Sequence, residues 1–260
     1  MKTIASKLFV LTAVIATVIF WAGPSKTQSV ADTNNIPDVL VARSFALVDK
    51  DGNHRGGFGL DKSENPILLL KDKDGSNRAF FILTDRGPFI SFDDKSGDTK
   101  LYIRLDNEGG PTIGFMNNKR PQMIMTLRKQ KEPSVVFFDE NGGGRFAITL
   151  KDGNPGLAFL DSRQQSQALI QARDGQGALV SLHDGKNEPA VAMGLREGRS
   201  FVYAYDRDKS GFFAGAQSGK GPALALKERG KVAWTAGAGG DVKALEQGLD
   251  PAGFGMDLLR

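Results

Sequence analysis

Aspartate is the residue best placed to do chemistry in this chain, because it recurs in one short setting. Asp49-Lys50-Asp51-Gly52, Asp72-Lys73-Asp74-Gly75 and Asp139-Glu140-Asn141-Gly142 share a frame. Asp-x-Asp-Gly is how a calcium loop opens, but such a loop needs about five further oxygen ligands, usually including a late glutamate. That glutamate is missing, and most of these stretches offer only one or two carboxylates. Turn formation accounts for the aspartates without a metal. An aspartate side chain accepts nearby backbone N–H groups, and Asp-Gly or Asn-Gly supplies positive φ. No metal and no cofactor are expected.

Other chemistry is sparse. The two histidines, His54 and His183, lie near turn aspartates in different parts of the chain, so a catalytic or metal-binding pair is not expected. There is no cysteine, which excludes thiolate sites and disulfides. No Gly-x-Ser-x-Gly elbow, phosphate loop or His-Glu-x-x-His segment occurs, and Gly142–Gly144 lacks the lysine a phosphate loop requires. No residue is assigned a catalytic role, and an enzyme is not expected.

Two patches could bind rather than catalyse. Phe201, Tyr203 and Tyr205 alternate along one segment, with Phe212 and Phe213 close behind. Exposed aromatic ladders of this kind grip glycans or protein surfaces. Phe201, Tyr203, Tyr205 and Phe213 are therefore candidate binding residues. Lys119, Arg120, Arg128, Lys129 and Lys131 form a basic cluster that could meet an anionic polymer or lipid headgroups.

A repeat positions these residues. Anchoring on Arg43, Pro66, Pro88, Pro111, Pro133, Pro155, Ala178, Ser200 and Pro222 gives nine units of 22 or 23 residues. The second residue after each anchor is large and apolar: Phe45, Leu68, Ile90, Ile113, Val135, Leu157, Val180, Val202, Leu224. The fourth is Leu47, Leu70, Phe92, Phe115, Phe137, Phe159, Leu182 and Leu226, with Ala204 as the small exception. The third is mostly small, as in Ala46, Ser91, Gly114, Ala158, Ser181 and Ala225. This period of two marks a strand with one buried face. The second and fourth positions are expected inside, which sets Phe201, Tyr203 and Tyr205 outside. The sixth residue is usually acidic and opens the turn to a second strand, exemplified by Arg78–Leu83, Arg145–Leu150 and Ala190–Leu195.

The expected fold is all-β: tandem 22–23-residue two-strand repeats stacked as a solenoid or a rolled hairpin sheet. The Asp-x-Asp-Gly turns favour hairpins, and a propeller of paired units is a third arrangement. Glycine, 32 of 260 residues against a usual ~7%, fits a chain with many tight turns.

The unit apolar-x-apolar-x-Asp-x-Asp-Gly-x-x-Arg resembles the tandem β-hairpin repeats of bacterial envelope proteins, and is loosely similar to tyrosine–aspartate (YD) repeats. The match lies in the Asp-x-x-Gly turn. The tyrosine before that aspartate occurs once, as Tyr205-Asp206. The resemblance spans about 200 residues and implies a structural or binding protein, with no functional residue carried over.

The N-terminus carries Lys2 and Lys7, an apolar run from Leu8 to Ala22, and a break at Gly23-Pro24. These are the parts of a secretory signal. The run of 15 residues is short for a membrane span of about 20. Residues 1–31 are read as a signal peptide cleaved after Ala31 or as an uncleaved anchor, followed by a linker over 32–38, a repeat domain over 39–240 and a C-terminal cap over 241–260. Val242, Leu245 and Leu249 have helical spacing in that cap. The protein is expected to be exported: periplasmic, on the cell surface, or anchored facing outward, touching the membrane only through its N-terminal segment. Without Lys2, Lys7 and Lys26 the body has 31 basic against 30 acidic residues, so nucleic acid is not an expected partner. An envelope protein or polysaccharide is. The sequence reads as a non-catalytic structural or interaction module, or as a glycan-binding protein that uses the aromatic face.

Overall fold

A computed structural model describes residues 41–105, 108–127, 132–185, 189–196, 198–218 and 221–237. The signal or anchor, the linker, the C-terminal cap and three of the five basic-cluster residues (Arg128, Lys129 and Lys131) lie outside these residues. The protein is all-β, with eighteen antiparallel strands and no helix among the described residues. It divides after Lys119 into two compact units.

The first unit contains β1 (Ser44–Val48), β2 (His54–Leu60), β3 (Pro66–Lys71), β4 (Asn77–Thr84), β5 (Gly87–Asp93), β6 (Thr99–Leu105) and β7 (Pro111–Asn117). The second contains β8 (Arg120–Leu127), β9 (Pro133–Phe138), β10 (Gly144–Lys151), β11 (Asn154–Leu160), β12 (Ser166–Arg173) and β13 (Gly177–His183). It continues with β14 (Pro189–Arg196), β15 (Arg199–Tyr205), β16 (Gly211–Gln217), β17 (Gly221–Glu228) and β18 (Lys231–Gly237). Within each unit every strand pairs antiparallel with its neighbour in sequence. Within each unit the repeats are thus hairpins, and successive hairpins pair side by side. Anchor prolines 66, 111 and 133 open their strands, where a missing N–H costs least.

The alternation of faces is as the sequence implies, but the buried face is the opposite one. In β3, Ile67 and Leu69 are 3% and 1% exposed, whereas Leu68 and Leu70 at the second and fourth positions are 43% and 45% exposed. The same inversion holds at Phe92, Phe115, Phe137, Phe159, Val180, Leu182, Leu224 and Leu226, all of which are exposed, while Phe45 and Leu47 are exposed along with the whole of β1. The expectation that these columns form the core is corrected accordingly.

The reason is visible across strands rather than along them. Direct partners on the face opposite these columns form one row in each unit, and each large residue in it has a small one on at least one side. In the first unit the row runs Ala46, Gly57, Leu69, Phe80, Ser91, Tyr102, Gly114. In the second it includes Ala147, Ala158, Leu169, Ser181, Ala192, Tyr203, Phe213 and Ala225. A small residue leaves room for its neighbour's side chain to lie down over the sheet, so the face closes on itself. At Gly114 the fit is tight: a Cβ there would collide with the Tyr102 ring. The other face more often sets large residues beside large residues, as in Phe137, Phe146 and Phe159, and many of its large side chains are exposed.

Candidate functional site

The acidic turns are built from one hydrogen-bond pattern. Asp139 Oδ1 accepts the N–H groups of Asn141 and Gly143, both at 2.9 Å. Asp49 does the same with Asp51 and Asn53, Asp72 with Asp74 and Ser76, and Asp206 with Asp208 and Ser210. Gly142 takes the positive φ, 82°, that the fourth turn position requires. The second carboxylate oxygen commonly meets a cation six residues on. Arg145 Nε lies 2.8 Å from Asp139 Oδ2, Lys100 Nζ 3.0 Å from Asp94 Oδ2 and Arg78 Nη1 3.3 Å from Asp72 Oδ2, and Arg55 pairs with Asp49.

These contacts hold the carboxylates ionised. Burial pushes Asp49 upward, but hydrogen bonds from Asn53, Arg55 and Asp51 outweigh it and bring the group to about 2. Hydrogen bonds from Ser96 and Lys100 hold Asp94 well below its ordinary value. The backbone N–H of Gly143 lowers Asp139, and that of Gln165 lowers Asp161. The oxygens that would coordinate a cation are turned onto the chain's own donors. Among the described residues no group of three or more histidines and acids could hold a metal ion.

The histidines lie in different units. His54 sits in β2, where burial and the charge of Lys71 lower its pKa. His183 ends β13, with Nε2 2.9 Å from Ser181 Oγ.

The aromatic segment is brought together, but not as an open ladder. Phe201, Tyr203 and Phe213 are 7%, 4% and 2% exposed and share a core cluster with Leu179, Ala192, Ala223 and Ala225. Tyr205 packs against it, partly buried. The rings of Phe201 and Tyr203 stack at 6.2 Å, and those of Tyr203 and Tyr205 at 5.2 Å. Lys227 Nζ lies 5.5 Å from the Tyr205 ring centre. The expectation of an accessible binding face at Phe201, Tyr203 and Phe213 is therefore corrected. Their parity within the strand is as expected, opposite Val202. What differs is that this is the closed face, because Tyr203 lies between Ala192 and Phe213, and Phe201 between Gly194 and Gly215.

Of the basic cluster, Lys119 and Arg120 are described. Lys119 Nζ is 3.5 Å from Asp98 Oδ1, and Arg120 donates to the carbonyl of Glu140 at 2.5 Å. Each is thus engaged within its own unit.

The feature that sequence reasoning missed is the open apolar face. In the second unit its central row runs through Val135, Ile148, Leu157, Ile170, Val180, Met193, Val202, Ala214 and Leu224, each the direct partner of the next. A parallel row includes Phe137, Phe146, Phe159, Leu182, Val191, Phe212, Leu226 and Trp234. The first unit has a matching row from Phe45 and Phe58 through Leu68, Phe81 and Ile90 to Ile103. The available signal was the small third column beside in-strand glycines such as Gly57 and Gly215. The depression between β16, β17 and β18, lined by Ala214, Gly215, Pro222, Ala223 and Leu224, is likewise apolar. No protein-family model matches this chain, and a search of curated proteins returned no match.

Proposed function

We propose that this protein is a non-catalytic structural or interaction module of the cell envelope that works through the broad apolar face of its hairpin sheet. The carrying observation is that large apolar side chains on one face of the hairpins, among them Leu68, Phe159, Ile170, Leu182, Met193 and Leu226, are left open. Soluble monomers rarely expose contiguous apolar patches beyond a few hundred Å². An ordered face that exceeds this fits a surface made to be covered. The N-terminal charge and apolar pattern supports export. The glycan-binding alternative loses its support, since Phe201, Tyr203 and Phe213 offer no open ring face to a sugar.

Retention tests the reading. The tagged protein is expressed in its own cells and recovered from the envelope fraction, beside a variant with Met193→Glu and Leu195→Lys on the open face. Envelope material should be retained by the parent and lost by the variant while its circular dichroism is unchanged. Equal retention by both would refute a role for this face.

A further inference from the structure

We propose that the open apolar face of the second unit is covered by the same face of a second copy of this chain. The inference rests on the interaction-module reading and names its partner.

Composition narrows the occupant first. From β8 to β18, the outward positions of the central row and the rows flanking it are apolar or small, with Ser200 the polar exception and no charge. A partner must therefore be as apolar and uncharged as this surface. It must also match a ridge pattern set by strands about 4.8 Å apart. A second copy supplies both by construction. A two-fold axis would pair the face with itself, two sheets about 10 Å apart with interdigitating side chains.

Area points the same way. The exposed large side chains from Met125 to Trp234 are each roughly two fifths open or more. With side-chain areas on the order of 200 Å², they present on the order of 1,000 Å² of apolar surface. A standard stable interface buries about 800 Å² per partner, so the face is large enough for a permanent dimer. The charged turns at the strand ends, with Asp139, Arg145, Asp161 and Arg163, would form the polar rim.

Lipid fits poorly. The apolar band covers three outward positions per strand, such as Pro133, Val135 and Phe137 in β9. At about 3.3 Å per residue that is roughly 15 Å, half of a bilayer's ~30 Å hydrocarbon core.

The chain has no cysteine, so one introduced thiol is unique. Full-length protein carrying Ile170→Cys, Val180→Cys or Met193→Cys on the open face is treated with a bismaleimide of roughly 10 Å span. Asp174→Cys, at an exposed turn, serves as control. Sedimentation equilibrium is run on the parent and on Met193→Glu, with circular dichroism to verify folding. We expect a dimer, crosslinking at one or more face positions and not at Asp174→Cys, and at least about a 100-fold weaker dimer for Met193→Glu. A monomer at tens of micromolar without face crosslinks overturns the proposal. So does a dimer that survives Met193→Glu without face crosslinks, which would place association elsewhere, for instance in residues 8–22. Flotation with phosphatidylglycerol vesicles by a chain monomeric in their absence would assign the face to lipid and also overturn it. If self-association fails while envelope retention still depends on Met193 and Leu195, the interaction reading stands and only the partner is wrong.

Discussion

Arg145 Nε donates to Asp139 Oδ2 at 2.8 Å across the turn that joins the two strands of one hairpin. Its Nη1 also approaches the carbonyl of Leu160, in the next repeat, at 3.5 Å. Arg78 repeats the arrangement more tightly, with Nε 2.8 Å from the carbonyl of Asp93, and Arg55 Nη1 reaches that of Asp72 at 2.9 Å. One guanidinium thus ties its own turn to the neighbouring one.

Arg78 provides the test of that tie. Arg78→Gln should lower the melting temperature by about 2–4 °C, the equivalent of roughly 1 kcal/mol in a domain of this size. Arg78→Lys should recover little, because an ammonium is a point charge and cannot fork between Asp72 and the Asp93 carbonyl. Full recovery by lysine, measured by thermal melts of both variants, would reduce the contact to simple charge attraction.

The turn carboxylates make stability acid-sensitive. Asp49 stands at about 2 against an ordinary 3.8. A depressed folded-state pKa contributes stability above the ordinary value, and that contribution is lost as pH falls through the folded value. The melting temperature should be level from pH 7 to 5 and fall between about pH 4 and 2. Asp49→Asn should melt lower at pH 7 and converge on the parent near pH 2; a constant gap across that range would show that the charge is irrelevant.

Chelation should change little. The carboxylate oxygens already face backbone N–H groups and cations, so excess EDTA should leave the melting temperature within about a degree. A large calcium-dependent rise would mean that the loops rearrange to bind it.

Gly114→Ala should destabilise by about 1–3 kcal/mol, since the new methyl collides with the Tyr102 ring. In a Tyr102→Leu background the same substitution should cost much less. The coupling is read from a double-mutant cycle in urea, and additive losses would show that the ring does not lie over the glycine.

Tyr203→Ala should cost about 3–5 kcal/mol, the usual loss for a truncated buried aromatic. Tyr205, only partly buried, should cost less. Denaturant melts decide it. A Tyr203→Ala protein as stable as the parent would restore these rings to the surface.

The frame of the fold was legible in the sequence because its signals are local. The proline anchors, the alternation after them and the aspartate turns each need only a few neighbouring residues. The identity of the closed face was not legible in the same way. Alternation separates Leu68 from Leu69, but which one is covered depends on what stands beside it on the next strand. Leu69 lies between Gly57 and Phe80, so one flank is open for packing, whereas Leu68 lies between Phe58 and Phe81. The small third column was read as solvent-facing, when its smallness is what lets Tyr102 and Tyr203 lie flat. The aromatic site failed for the same reason, and the open face escaped notice because large apolar columns were assumed to be inside.

Pairing between sequence neighbours has a kinetic consequence. Within each unit a strand's first partner precedes it by only a few residues, so loop-closure entropy is small at every step and low contact order favours fast folding. A chain leaving a ribosome or a translocation channel need not wait for a distant segment. Each new hairpin adds to an edge already in place, once about three strands have made the first stable patch. Gain or loss of one repeat would leave the remaining registers intact, so length is the property this architecture can change most readily.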